Sequence, residues 1–187
     1  PVKSEPVIEL GERQAVITNG KIHAVLSLQD WGDELQISYY NQKGELLLQE
    51  IPNGGALFLK ARRFQSLPGD SFFLTASFLS NPSEKIYGMG QYQQETLNLK
   101  GCNLELAHRN SQASIPFYVS SLGYGFLWNN AAVGDVHFGT NTTQWTARSC
   151  KQLDYWITAG DTPAEIEEAY ANATGKSPMM PEYGLGF

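Results

Sequence analysis

Turn-forming residues recur at short intervals between residues 14 and 82 and divide this part of the sequence into runs too short for most helices. Asn19-Gly20 separates two β-prone runs, residues 14–18 and 21–28. Asn-Gly is the strongest short hairpin signal because both turn positions favour positive φ angles. Residues 41–44, which end in Gly44, indicate a second hairpin. This spacing, with few helical periods, predicts an all-β fold, specifically an antiparallel β-sandwich.

Further runs of apolar and β-branched residues predict the remaining strands. Residues 116–130 are typical of two apolar strands around a Ser-Leu-Gly turn, and residues 100–112 are polar enough to predict a surface loop with no obvious place in the core. The other predicted strands cover residues 35–40, 46–50, 56–60, 72–78, 133–138, 143–147 and 153–158, and Ile86-Tyr87 is strand-like as well.

One helix is predicted, over residues 162–174. Thr162 can cap it, Pro163 suits the first helical position, and Glu165 completes a Thr-x-x-Glu capping box. Four residues share one face at a period of 3.6 and should dock on the sandwich: Ile166, Ala169, Tyr170 and Ala173.

The segment after the helix predicts a change of domain. Residues 176–181 form a connector bracketed by prolines, and residues 182–187 are typical of the start of a buried strand. We therefore expect a sandwich domain over 1–175, including the helix, and a linker with the first strand of another domain over 176–187. The chain is expected to be part of a longer protein.

Composition excludes several classes of function. The net charge is −6 and the 13 basic residues are scattered along the chain, which argues against nucleic acid and anionic membrane surfaces as partners. No apolar run approaches the roughly 20 residues of a transmembrane helix. Cys102 and Cys150 are too few for a disulfide-stapled fold, so we expect reduced thiols and a cytoplasmic location. His23 and His137 have no acidic neighbour pattern, and neither a metal nor a cofactor is expected.

A set of short motifs gives the sequence a family resemblance. From about Ile86 onwards it resembles the N-terminal β-sandwich of glycoside hydrolase family 31, which contains retaining α-glucosidases and α-xylosidases. The motifs that carry the resemblance, in chain order, are Tyr87-Gly88-Met89-Gly90-Gln91, Asn98-Leu99-Lys100-Gly101, Ile115-Pro116-Phe117, residues 120–130, Asp154-Tyr155-Trp156, Tyr170 and residues 174–181.

The resemblance implies a galactose-mutarotase-like sandwich packed against a (β/α)8 barrel that belongs to the same protein. It implies that the catalytic carboxylates lie beyond Phe187, so no catalytic residue is expected in this chain. Retaining hydrolysis needs two carboxyl groups about 5–5.5 Å apart. The implied function is a non-catalytic domain that supports the barrel of an enzyme acting on an α-linked oligosaccharide or glycoside, either an α-glucoside or an α-xyloside.

The resemblance also implies substrate contacts from one loop of this domain. In the family, a loop with an Asn-Arg-Asp-like run helps to form the aglycone subsite of the barrel. The corresponding stretch here contains His108, Arg109, Asn110 and Gln112, and Tyr92 is a further candidate for substrate binding. Asn110 replaces the aspartate and His108 the asparagine. An amide still exchanges hydrogen bonds with sugar hydroxyls, although without the charge-assisted strength of a carboxylate.

Two alternatives from other classes stay open. A free-standing carbohydrate-binding module would need an exposed aromatic platform, for which Trp31 and Trp145 are the candidates, whereas Trp128 and Trp156 sit in strand patterns and predict core or interface positions. An aldose mutarotase would need a paired histidine and glutamate as acid and base. The sequence also leaves homo-oligomerisation open.

Overall fold

The computed structural model describes residues 5–30, 34–54, 57 and 59–185. Within these residues the chain forms fourteen strands, one α-helix and one short 3-10 helix. The strands are β1 Val7–Leu10, β2 Gln14–Asn19, β3 Ile22–Leu28, β4 Leu35–Asn41, β5 Leu46–Gln49, β6 Arg62–Leu67, β7 Ser71–Leu79, β8 Ile86–Gln91, β9 Asn103–Leu106, β10 Ala113–Ser120, β11 Tyr124–Trp128, β12 Gly134–Phe138, β13 Thr142–Cys150 and β14 Tyr155–Ala159. Helix α1 is Pro163–Thr174, and the 3-10 helix is Glu182–Gly184.

The strands form three antiparallel sheets. The first is a meander in the order β1-β2-β3-β4-β5, the second has the order β14-β11-β10-β8, and the third has the order β6-β7-β13-β12-β9. Strands that are distant in sequence are therefore neighbours in the second and third sheets, and β9 and β10 lie in different sheets although they are adjacent along the chain. The all-β prediction is confirmed.

Stacked aromatic side chains from the second and third sheets fill the core. Trp145 on β13 lies between Phe126 and Trp128 of β11, with ring centroids 5.2 Å and 5.5 Å away. Tyr118 on β10 stacks on Phe126 at 5.5 Å. All four rings are fully buried or nearly so, so two sheets pack face to face as a sandwich.

The first sheet is attached to this core by polar contacts as well as apolar ones. The hydroxyls of Tyr39 on β4 and Tyr155 on β14 are 2.7 Å apart. Glu50 follows β5, is almost completely buried, accepts the N–H of Ile37 at 2.9 Å and pairs with Arg62 at 3.1 Å. Because a buried carboxylate needs such partners, these contacts fix the meander against β6 and β14.

Helix α1 covers part of the outer face of the second sheet. Its N-cap is Thr162, whose hydroxyl oxygen accepts the N–H of Glu165, as predicted. The Glu165 carboxylate accepts the N–H of Asp161, one residue earlier than a capping box requires. Ile166 is buried against Gly125, where a Cβ would lie 2.5 Å from the Ile166 Cγ2 atom. The glycine therefore lets the helix approach the sheet.

Most of the predicted strands are present, and both hairpins are confirmed at the β2–β3 and β4–β5 connections. The structure adds three strands that we did not predict: β1, β6 and β9. Strand β9 lies inside the segment predicted to be a polar loop, and its Leu104 and Leu106 are buried, so that prediction is wrong for residues 103–106. Within the predicted strand over 56–60, Leu59 forms one isolated bridge with Gly54. Ala56 and Phe58 lie outside the described residues.

The predicted division into a sandwich domain over 1–175 and a linker with a further strand over 176–187 stays a prediction. Residues 176–181 have no regular structure, and Glu182–Gly184 forms a 3-10 turn where a strand was expected. A strand needs a neighbour to satisfy its backbone groups, and these residues pair with no described strand. Phe187 lies outside the described residues. No helix in the described ranges is long and apolar enough to span a bilayer.

Candidate functional site

The loop over residues 107–112 carries four of the five predicted substrate-binding residues. It crosses from β9 in the third sheet to β10 in the second. A tight turn closes it, because the backbone N–H of Gln112 donates to Arg109 at 3.1 Å and the reciprocal bond is 3.3 Å. Ser111 has a φ of 64°. Asn110 and Ser111 therefore form the exposed tip of the loop.

Tyr92 joins the two ends of this loop. Its hydroxyl lies 3.0 Å from the carbonyl oxygen of Glu105 at the end of β9 and 2.7 Å from Ser114 Oγ at the start of β10. Burial raises the pKa of the Tyr92 phenol above its ordinary value. The residue was predicted to bind substrate. In this structure its hydroxyl binds its own domain and holds the loop in place.

Two other predicted residues also bond within the loop. His108 Nδ1 accepts the backbone N–H of Ser114 at 3.3 Å. The Gln112 side-chain amide donates to the carbonyl oxygen of Ala107 at 3.1 Å. By contrast, the Asn110 side chain has no hydrogen-bond partner among the described residues. Asn110 is thus the predicted residue whose side chain is most available to a ligand.

Arg109 is held by an ion pair rather than pointing freely into solvent. Its guanidinium binds the Glu105 carboxylate, with Nε 3.0 Å from Oε2, and Arg148 on β13 approaches the same carboxylate at 3.4 Å. The hydrogen bond to Arg109 is the largest of the effects that lower the pKa of Glu105, and the same contact raises the pKa of Arg109. Both arginines are solvent-exposed and Glu105 is partly exposed, so the pair orients the loop more than it stabilises the fold.

The backbone beside the loop has an unusual conformation. Gly88, Met89 and Gly90 of β8 have φ angles of 116°, 69° and 90°. The pairing of β8 with β10 shifts register between Ser114 and Tyr118, where β10 forms a bulge. A Cβ on Gly90 would lie 2.3 Å from the carbonyl oxygen of Ala113. Strained backbone of this kind needs support from its surroundings, and here the side chain of Met89 is fully buried.

The arrangement is suited to hydroxylated ligands more than to acid–base chemistry. The loop offers an amide at Asn110, a hydroxyl at Ser111 and the remaining guanidinium donors of Arg109. Glu105 is the carboxylate nearest to it in sequence, and two arginines balance its charge. The described residues contain no cluster of side chains suited to a metal ion.

The structure also tests the predictions made for tryptophan and histidine. Trp145 is fully buried, so it does not supply the exposed platform that a carbohydrate-binding module would need: the sandwich core stacks it between other rings. Trp128 is buried as predicted, Trp156 is half-buried, and Trp31 lies outside the described residues. The three histidines hydrogen-bond to residues other than glutamate, namely Thr18 for His23, Ser114 for His108 and Asn103 for His137. The mutarotase alternative gains no support from these contacts.

Sequence reasoning missed the two residues that orient Arg109. Glu105 lies four positions before it in sequence, which is a usable signal only once β9 and the turn are known. Arg148 lies on β13 and reaches Glu105 on β9 across β12, which is the strand between them in the third sheet. The sequence carries no signal for that strand order.

Comparison with known proteins places the chain beside α-glycosidases. It is 50% identical over 187 residues to an uncharacterised family 31 glucosidase, ORF2, of Pseudescherichia vulneris, with 91% of this chain aligned. It is 37% identical over 186 residues to α-xylosidase A of Aspergillus niger, with 95% aligned. The crystal structure of a GH31 α-xylosidase from a soil metagenome, complexed with xylose, matches all of this chain with a TM-score of 0.92 and 48% identity.

In each of these comparisons the chain spans only part of the relative. It covers 34% of the P. vulneris protein, 25% of the A. niger enzyme and 29% of the metagenomic enzyme. No family model matches the chain.

Proposed function

Because the chain belongs to glycoside hydrolase family 31, we propose that it is the non-catalytic N-terminal domain of a retaining α-glycosidase. The whole protein would hydrolyse α-glucosides or α-xylosides, and this domain would support a (β/α)8 barrel and lend the loop over residues 107–112 to the aglycone subsite. We further propose that the sandwich is of the galactose-mutarotase type.

One observation carries the proposal. The metagenomic α-xylosidase matches the whole of this chain at a TM-score of 0.92, yet the match accounts for 29% of that enzyme. The rest of such an enzyme is large enough for a barrel of about 250 residues or more. The chain therefore corresponds to one domain of a larger enzyme, which agrees with the absence of a predicted catalytic residue from it.

The carboxylates of the chain support a non-catalytic role. Among the described residues the buried carboxylates are Glu50 and Glu84, and each is bound by a basic side chain and by hydrogen-bond donors of its own domain. Asp161 and Glu165 approach each other at the start of α1, but both bind Lys21, at 2.5 Å and 2.6 Å. Retaining hydrolysis needs two carboxyl groups free to reach a glycosidic bond.

Exposed apolar side chains support packing against a second domain. Tyr87 on β8, Ile115 at the bulge of β10 and Leu97 are exposed. In the connector after α1, Met179, Met180, Tyr183 and Leu185 are exposed as well. Exposed large apolar side chains are typical of surfaces that a second domain covers. The barrel of the same protein is the proposed partner.

The enzymatic part of the proposal is tested with the longer gene product and with the 187-residue chain, assayed on aryl α-xylosides and aryl α-glucosides. The longer protein should turn over at least one substrate, and the chain alone should turn over none. Turnover by the chain alone would contradict a non-catalytic role. A longer protein that hydrolyses neither α-glycoside would contradict the enzyme class.

The role of the loop is tested by Asn110→Ala in the longer protein. Loss of one neutral hydrogen bond to substrate should raise KM for an α-linked oligosaccharide by about two- to tenfold, with little change for an aryl glycoside that does not reach the loop. Asn172→Ala, at an exposed asparagine of α1, is the matched control and should change neither value. An unchanged oligosaccharide KM in Asn110→Ala would refute the subsite role alone.

We also propose a cytoplasmic location. Cys102 and Cys150 are both free thiols, and free thiols are typical of reducing compartments. Fractionation of the source cells tests this. Recovery of the protein outside the cytoplasm would contradict it. Self-association is compatible with the exposed side chains above and is tested by sedimentation of the longer protein.

A further inference from the structure

A cavity lies away from the loop over residues 107–112. It has a volume of about 220 Å³ and lies between β5, the connection from β7 to β8, and the turn from β10 to β11. Its lining includes Leu46, Leu48, Leu79, Ser80, Glu84 and Leu122. None of its lining residues belongs to the loop or is Tyr92. The proposed aglycone subsite therefore does not account for it.

The cavity contains a buried carboxylate. Glu84 is 5% exposed. Its Oε1 atom accepts hydrogen bonds from Ser120 Oγ at 2.5 Å and from the Tyr124 hydroxyl at 2.7 Å. Its Oε2 atom has one contact, with Lys100 Nζ at 3.4 Å. A carboxylate offers about four acceptor positions. Oε2 therefore keeps acceptor capacity that the surrounding protein does not fill.

The charge of this carboxylate is already balanced. The salt bridge between Glu84 and Lys100 is largely shielded from solvent, with 4% and 12% of the two side chains exposed. Lys100 Nζ also binds the hydroxyl of Ser80, which in turn donates to the carbonyl oxygen of Gly139 at 2.7 Å. A cationic ligand would have to compete with Lys100, and an anionic one would meet Glu84. The site therefore favours a neutral hydrogen-bond donor.

Leucine side chains form much of the wall of the cavity, beside the polar residues Gln49, Ser80, Asn81 and Glu84. Leu46 and Leu79 stand at its mouth with 46% and 42% of their surface exposed, and Leu48 and Leu122 lie deeper. Apolar walls with a few convergent polar groups are the usual composition of a small-molecule site. A pyranose has matching chemistry, because its C–H face packs against aliphatic side chains while its hydroxyls donate to a carboxylate.

From this geometry we propose that the cavity binds a neutral polyhydroxylated molecule of monosaccharide size. One ligand hydroxyl donates to Glu84 Oε2, and the ring packs between Leu46 and Leu79. The site lacks an aromatic platform among its lining residues, so the affinity is weak, with Kd in the millimolar range. This proposal does not depend on the assignment of the loop to an aglycone subsite.

The test is an NMR titration of the chain with xylose and with glucose, with glycerol as the control for a non-specific polyol. Saturable shifts of the amide signals of Leu79, Ser80 and Leu122 are expected with at least one sugar and not with glycerol. Shifts that grow linearly to the solubility limit, or equal shifts with glycerol, would overturn the proposal.

Two variants locate the site. Leu79→Arg places a long side chain across the mouth from an exposed position, so the fold should survive, and it should weaken binding by about tenfold or more. Leu97→Arg is the matched control, at a leucine that is 86% exposed and outside the cavity, and should bind as the parent does. Unchanged sugar binding in Leu79→Arg would overturn the proposal. Glu84→Gln, checked for folding by circular dichroism, should also bind more weakly.

Discussion

The ring of Tyr170 on α1 lies flat on the ring of Phe117 on β10, with centroids 4.0 Å apart and planes 9° apart. Phe117 belongs to the bulged part of β10, immediately after Pro116, and is 5% exposed. The helix therefore covers the irregular stretch of β10 that leads away from the loop over residues 107–112. A contact 53 positions apart in sequence thus links the last helix to the backbone of the candidate site.

Truncation of Tyr170 should destabilise the fold. Tyr170→Ala removes the stacked ring and uncovers Phe117, which should lower the free energy of unfolding by about 1–3 kcal/mol. The tyrosine hydroxyl makes no hydrogen bond to another described residue, so Tyr170→Phe should lie within about 0.5 kcal/mol of the parent. Urea denaturation of the three proteins measures both values. A Tyr170→Ala variant as stable as the parent would show that the helix does not support β10.

Substitution by alanine at two glycines with similar φ angles should destabilise the fold by different amounts. Gly90 has a φ of 90° and Gly101 a φ of 87°. A Cβ at Gly101 would meet nothing within 4 Å, whereas at Gly90 it would lie 2.3 Å from Ala113 O. Gly101→Ala should cost about 1–2 kcal/mol from the backbone angle alone. Gly90→Ala should cost about 3 kcal/mol or more because the backbone must also move. Equal decreases in the free energy of unfolding of the two variants would mean that β10 moves away from the new Cβ without further loss of stability.

The sequence predicted the parts of the fold that have local causes. The hairpin of β2 and β3 follows from Gly20, which has a φ of 60°, although the turn is Gly20-Lys21 and not Asn19-Gly20, because Asn19 pairs with Ile22. Helix α1 follows from Thr162 and the period of its apolar face. Strand β6 has no such signal: its sequence, RRFQSL, is mostly polar, and its pairing with β7 decides its structure. Strand β9 also lacks a clear signal in the sequence, because its run is short and its two buried leucines alternate with polar residues.

The candidate site divides along the same line. The family resemblance indicated the loop over residues 107–112, and the structure shows that the residues of this loop lie together. The resemblance could not indicate which of these residues form hydrogen bonds within their own domain. Tyr92 meets Glu105 and Ser114 because β8, β9 and β10 converge there, and two different sheets supply those strands. The burial of Trp145 could not be predicted for the same reason, since periodicity alone does not show which face of β13 is covered.

The pKa of Glu105 should depend more on Arg109 than on Arg148. The hydrogen bond from Arg109 is the largest cause of its lowered pKa, and Arg148 contributes less. Arg109→Ala should therefore return the Glu105 pKa most of the way to its ordinary value, and Arg148→Ala should raise it by a smaller amount. Titration of the side-chain carboxyl by carbon-13 NMR gives all three values. The reverse order would mean that the loop is oriented from β13 and not by its own arginine.

Glu50 should make stability fall as pH rises. Burial raises its folded-state pKa, and this outweighs the opposing effects of Arg62 and of the Ile37 N–H. A carboxyl with a raised folded pKa takes up a proton on folding, so its contribution is fully present below the unfolded pKa, about 4.5, and is lost as pH rises through the folded value. The stability of the parent minus that of Glu50→Gln should therefore decrease above pH 4.5, with a slope of at most about 1.4 kcal/mol per pH unit.

Urea denaturation across this pH range measures the difference in stability, and Glu167→Gln, at an exposed position on α1, controls for the loss of one negative charge. A difference that increases with pH would show that the Arg62 ion pair, and not burial, dominates at Glu50.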